Sequence, residues 1–185
     1  MAGKAKRIDV HNHVCPATLI EALRANPQRF GMRVEGEGDA LRIARTTSKH
    51  VFHLVPELYD VEAKLKGLDE RGLEGAYLSP GPMYFYYDLP ADAGLDAAKA
   101  INEGIAAMCA KAPDRLYGMG TLPMQDPDAA VTELERVVKE RGAAAFARHV
   151  PKPAPLAATD KLPASDEEID AKLPDITEFA RTYLG

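Results

Sequence analysis

Arg7-Ile8-Asp9-Val10-His11-Asn12-His13 is the stretch around which the chain is organised. Arg7 to Val10 reads as a short strand that delivers two histidines at its C-terminal end. Alternate side chains of a strand point the same way, so His11 and His13 can share a face. Two imidazoles so placed can both reach one divalent metal ion, and they can equally be plain strand-end histidines. His-x-His alone is a weak signal. Its position strengthens it: the pair follows the first apolar strand of a chain that alternates strand and helix, where active-site loops belong.

Working outward, Val14-Cys15-Pro16 reads as a turn and Ala17 to Arg24 as a helix with Leu19, Ile20 and Leu23 on one side. Asn26-Pro27 closes it. Residues 27–56 do not form a regular unit: glycines interrupt them and Leu41 to Arg45 alternates like a strand. They read as a hairpin-like insertion, placed as a lid over the site. Tyr59 to Gly72 reads as a helix with Val61, Leu65, Leu68 and Leu73 inward and Glu62, Lys66, Asp69 and Glu70 outward. Gly75 to Pro80 is a second strand. The aromatic loop after it, with Met83, Tyr84, Phe85, Tyr86 and Tyr87, either faces a substrate or partner or packs on a neighbouring loop. Leu95 to Ala112 is a helix with Ala98, Ile101, Ile105, Met108 and Cys109 on one face, and Leu116 to Leu122 a third strand. Asp126-Pro127 starts a further helix to Arg141, with Ala130, Val131, Leu134, Val137 and Val138 inward. Ala143 to Ala147 begins a fourth strand. This alternation predicts an α/β fold with parallel strands.

The tail departs from that rhythm. Pro151, Pro153, Pro155, Pro163 and Pro174 interrupt it and acidic residues outnumber basic ones. Residues 1–149 therefore read as one domain, and 150–185 as a Pro-rich acidic tail, linker or disordered, with at most a short helix near 175–184. A net charge of −5 argues against non-specific nucleic-acid binding. No apolar run approaches the ~18 residues of a membrane span, and the basic N-terminus lacks the apolar core of a signal peptide. Cys15 and Cys109 suggest no disulfide framework. A cytoplasmic enzyme or enzyme fragment fits these features. Cys15 reads as a small buried thiol, although it stands close to His13.

Several stretches, in order, resemble one family. They are Ile8-Asp9-Val10-His11-Asn12-His13 with Pro16, Gln28-Arg29-Phe30-Gly31, Leu41-Arg42-Ile43-Ala44-Arg45 and the helix Ala63 to Gly72. The most specific is Arg115-Leu116-Tyr117-Gly118-Met119-Gly120-Thr121-Leu122-Pro123-Met124-Gln125-Asp126-Pro127. Residues 7 to about 147 resemble the amidohydrolase-related (amidohydrolase 2) decarboxylases of the aminocarboxymuconate semialdehyde type, including the γ-resorcylate decarboxylases.

The resemblance implies a partial TIM-like (β/α) barrel, about four βα units of a metal-dependent hydrolase fold, with an insertion after the first strand and an irregular tail. It implies that His11 and His13 bind a divalent metal, most often Zn2+, and that Arg42 grips a substrate carboxylate with two parallel hydrogen bonds, Arg45 being its neighbour. The implied activity is carbon–carbon lyase chemistry on a small carboxylated aromatic or muconate-like substrate. A metal-dependent hydrolase of the same superfamily and a non-catalytic half-barrel binding module are the alternatives. The family's remaining ligands, a histidine and an aspartate from later strands, have no matching positions. Neither His149 nor the His50/His53 pair, spaced as on one helical face, is assigned in their place. The chain reads as the N-terminal half of an enzyme, truncated or closed by a second copy. No nucleic-acid or membrane partner is expected.

Overall fold

The computed structural model describes residues 7–141. A parallel sheet forms its spine. β1 (Ile8–Val14) leads through α1 (Ala17–Ala25) and the short α2 (Pro27–Phe30) into β2 (Met32–Glu35), β3 (Arg42–Arg45) and β4 (Phe52–His53). α3 (Val61–Glu70), β5 (Gly75–Pro80), α4 (Ala91–Lys111), β6 (Leu116–Gly118) and α5 (Pro127–Arg141) follow. β1, β5 and β6 lie side by side in that order, all parallel, while β2, β3 and β4 form a separate antiparallel sheet. The expected α/β class with a parallel sheet is what the chain adopts. The expected fourth strand at Ala143–Ala147 and the tail 150–185 lie outside the described residues.

The insertion at 27–56 is more ordered than a hairpin-like loop. β2 and β3 pair from Met32–Arg45 to Glu35–Arg42, and β4 adds a third strand through Phe52 and His53. Its inner side buries Met32, Leu41, Ile43 and Leu54, which join the same core as Leu19 and Leu23 of α1. The sheet is thus welded to α1 by apolar burial.

α3 begins where Asp60 accepts the Ala63 backbone N–H at 2.7 Å. It ends at Gly72, whose φ of 65° lets the Gly72 and Leu73 amides reach back to the carbonyls of Asp69 and Leu68. Its buried stripe corrects the expected one. Val61, Lys64, Gly67 and Leu68 are buried, while Leu65 and Leu73 are only partly so. The helix is turned so that Lys64 points at a polar partner on β1.

β6 is shorter than expected, ending at Gly118 instead of Leu122. The Met119 amide still bonds the Leu78 carbonyl at 2.8 Å, and the chain then leaves the sheet. The departing loop is captured by Asn102 of α4, which accepts the Thr121 N–H at 2.8 Å and donates to the Thr121 carbonyl at 2.9 Å. Asn102 also donates to the buried Glu133 carboxylate, itself paired with Arg136. That pairing rotates α5 away from the expected face. Glu133 lies inward with Ala130 and Val137, and Val131 is exposed.

Candidate metal-binding site

Parallel pairing of β1 with β5 sets the site. Ile8 faces Gly75 and Asp9 faces Ala76, but Asn12 already faces Leu78 and His13 faces Ser79. β1 therefore carries one residue more than β5 between Asp9 and Asn12, a β-bulge of the kind that re-aims side chains at sites. Past the bulge, pairing resumes at Asn12, His13 and Val14, so the strand continues through both histidines to Val14, beyond the expected end at Val10.

A chain of polar contacts stabilises the bulge. One Asp9 carboxylate oxygen accepts the His11 backbone N–H at 3.0 Å, and the other accepts the Asn12 side-chain N–H at 2.9 Å. The Asn12 carbonyl oxygen accepts from Lys64 Nζ at 2.6 Å, and the same ammonium donates to the His13 carbonyl at 3.2 Å. The Asn12 amide, followed by the His11 backbone N–H, holds the Asp9 carboxyl below the usual range. Burial pushes the Lys64 ammonium down to about 8 against the pull of Glu57 and Asp9.

The two imidazoles stand edge to face, their centroids 4.7 Å apart. His11 is exposed, whereas His13 is half-buried with Nδ1 3.2 Å from the Ser79 hydroxyl. A second-sphere hydroxyl at one ring nitrogen orients the ring and leaves the other nitrogen for a ligand. The pair can therefore occupy two positions around a divalent ion. Among the described residues, no group of three or more His, Cys, Asp and Glu could hold a metal ion, and structural or catalytic zinc sites use three or four protein ligands. The residues fit two of the ligands and leave the rest unfilled.

Arg42 lies exposed on β3, across from Glu35 and His53 and on a different sheet from the histidines. It has no side-chain hydrogen bond or ion pair among the described residues. Its neighbour Arg45 is the one that reaches over, pairing with Asp88 after β5 at 3.2 Å. His50 and His53 do not share a helical face: His53 is in β4 and His50 precedes it, both exposed. His149 lies outside the described residues. Cys15 is a fully buried thiol, pushed up to about 12 by burial.

The aromatic loop packs inward at alternate positions. Tyr84 and Tyr86 are buried, and Tyr86 adopts a left-handed φ of 54°. Gln125 holds this loop by donating to the carbonyls of Tyr86 and Leu89. Phe85 and Tyr87, with centroids 5.4 Å apart, remain partly exposed. Lys64, Ser79 and Asn102 escaped sequence reasoning. Ser79 had a signal, its place at the C-terminal end of the strand beside β1.

The model of the amidohydrolase family matches residues 8–167. The chain is 31% identical over 134 residues to the 2-amino-3-carboxymuconate-6-semialdehyde decarboxylase of Caenorhabditis elegans, covering 70% of this chain and 32% of that one. It is 39% identical over 90 residues to the γ-resorcylate decarboxylase of Rhodococcus jostii, covering 48% and 27%. The chain thus spans about a third or less of the length of these curated relatives. Among solved structures, the IDCase of Metarhizium anisopliae superposes with a TM-score of 0.58 at 18% identity, over 74% of this chain and 40% of that one. A 5-carboxyvanillate decarboxylase from Novosphingobium aromaticivorans, complexed with manganese and a nitrobenzoic acid, gives 0.54 at 20%, over 77% and 40%. At such identities the structural likeness speaks for the fold.

Proposed function

This chain belongs to the amidohydrolase family, and from that premise we propose that it carries the first strands of a TIM-like (β/α) barrel of a metal-dependent decarboxylase. The reaction is carbon–carbon lyase chemistry on a small carboxylated aromatic or muconate-like acid. The observation that carries the reading is the paired His11 and His13 on a bulged strand of a parallel sheet. The names of the relatives agree with it.

In this reading His11 and His13 are two ligands of a divalent ion, which when bound supplies Lewis acidity to the site. Imidazole suits zinc, and one structural neighbour contains manganese, so both ions belong in the test. Ser79 holds the His13 ring through Nδ1. Arg42, whose guanidinium is free of partners among the described residues, is assigned to the substrate carboxylate. The remaining ligands come from outside the described residues, from this chain or from a second copy that completes the barrel. Two buried free thiols support a cytoplasmic setting.

One observation favours a second reading, a non-catalytic binding module: the described residues supply only two ligands. Two measurements separate the readings. The full chain is loaded with Zn2+ or Mn2+, its metal content is measured after gel filtration, and carbon dioxide release is followed with γ-resorcylate. The expected result is bound metal and metal-dependent release, both lost in the His11→Ala/His13→Ala double variant. Metal content unchanged in that variant removes the histidine assignment, and bound metal without turnover selects the binding module.

A further inference from the structure

Lys64 carries a charge in a place where charge is expensive. It is 2% exposed, yet among the described residues none of its contacts is a direct ion pair. A buried ammonium without a touching carboxylate is disfavoured unless neutral acceptors replace its water. Among the described residues its two acceptors are the Asn12 side chain, where the β1 bulge ends, and the His13 carbonyl just past it. Asp9 grips the same segment from the other side, through the His11 amide and the Asn12 amide. Four hydrogen bonds thus run from Asp9 through Asn12 to Lys64 and close on His13. They bracket the two residues whose rings stand 4.7 Å apart.

We propose that Lys64 is a positioning residue for the histidine pair: from α3 it clamps the β1 bulge through Asn12 and the His13 carbonyl, setting the relative orientation of the His11 and His13 rings. A bulge supplies the re-aimed side chains but also frees backbone groups from the ladder. The clamp gives partners to one backbone group on each histidine, the His11 N–H inside the bulge through Asp9 and the His13 carbonyl just past it through Lys64. Lys64 makes no hydrogen bond to either ring among the described residues; its hydrogen bonds reach the histidines through the His13 carbonyl and Asn12. Ser79 then trims the His13 ring from the β5 side.

The inference rests on the metal-pair reading for its purpose, although its geometry can be tested without metal. The full chain and its Lys64→Met and Lys64→Arg variants are compared by long-range proton–nitrogen NMR of the imidazoles in the metal-free state, and by Co2+ titration followed in the visible spectrum. Lys64→Met is expected to shift and broaden the His11 and His13 ring signals and to weaken Co2+ binding at least tenfold, with far-UV circular dichroism unchanged. Lys64→Arg, which keeps two donors, is expected to recover affinity to within about threefold of the parent. Folded Lys64→Met with parental ring signals and parental Co2+ affinity overturns the proposal. If Lys64→Met does not fold, Asn12→Ser carries the test. It severs the link between Asp9 and Lys64, and unchanged ring signals in that variant are equally fatal. A parent chain that binds no Co2+ sinks the metal reading alone, since the ring signals still decide the role of Lys64.

Discussion

Cys15 and Cys109 show how a residue can be read from its type and then confirmed by its surroundings. Both are buried, and burial pushes both thiols up to about 12. Burial thus keeps nearly all of both thiols in the unreactive protonated form at pH 8. Both should therefore resist a thiol-disulfide reagent in the native chain and react promptly in urea; rapid labelling of the folded protein would contradict this placement. The unfolded chain loses these protons near 9.0, the folded one near 12. The folded state thus holds more protons between those values, and the thiols' contribution to stability falls as pH rises through that window. The urea midpoint of the parent should therefore fall more steeply above pH 9 than that of Cys15→Ala/Cys109→Ala, and equal slopes in the two would contradict the raised thiols. Lys64, Ser79, Asn102 and Glu133 were not legible in this way. Each is a polar residue on a stretch whose local pattern is ordinary, and its meaning comes from a partner far along the chain. Lys64 meets Asn12 across 52 residues, and His13 meets Ser79 across 66.

Elements were legible wherever a local rule sets them. The stop of α3 at Gly72 and the start of α5 after Asp126 follow from capping chemistry, and α1 starts after Pro16 without a side-chain cap; α3 starts at Val61, two residues past the expected Tyr59, where Asp60 caps it. The faces of α3 and α5 were harder, because periodicity admits several neighbouring stripes and contact with the sheet or with α4 selects one. β6 was overestimated because an apolar run does not reveal that Asn102 pulls Thr121 off the sheet. The close pairing of β5 with β6 depends on Gly75. A Cβ there would stand 2.6 Å from the Arg115 carbonyl oxygen, which accepts the Ala76 amide in this ladder. Gly75→Ala is therefore expected to cost about 2 kcal/mol by overpacking against backbone. Urea denaturation measures it, and a midpoint within error of the parent would mean that the strands separate freely.

At the scale of the whole molecule, β1 pairs with β5 on one side and with no strand on the other among the described residues. Val10 is 67% exposed beside that edge. An open edge with an exposed apolar residue invites pairing with another chain. The full chain is expected to show a concentration-dependent larger species in sedimentation velocity, reduced by Val10→Lys; a monomer at all concentrations would show that the edge is protected. By itself the sequence determined the strand–helix alternation, the core stripes of α1 and α4, the adjacent histidines and the family, because periodicity, capping and short motifs act within a few residues. Only the tertiary structure decided that a bulge precedes the His13 pairing, that Lys64 is buried against Asn12 and the His13 carbonyl, that Ser79 faces His13 and that Arg42 lies on another sheet. Those outcomes depend on register and on desolvation between segments distant in the chain, and neither quantity is written in any local window.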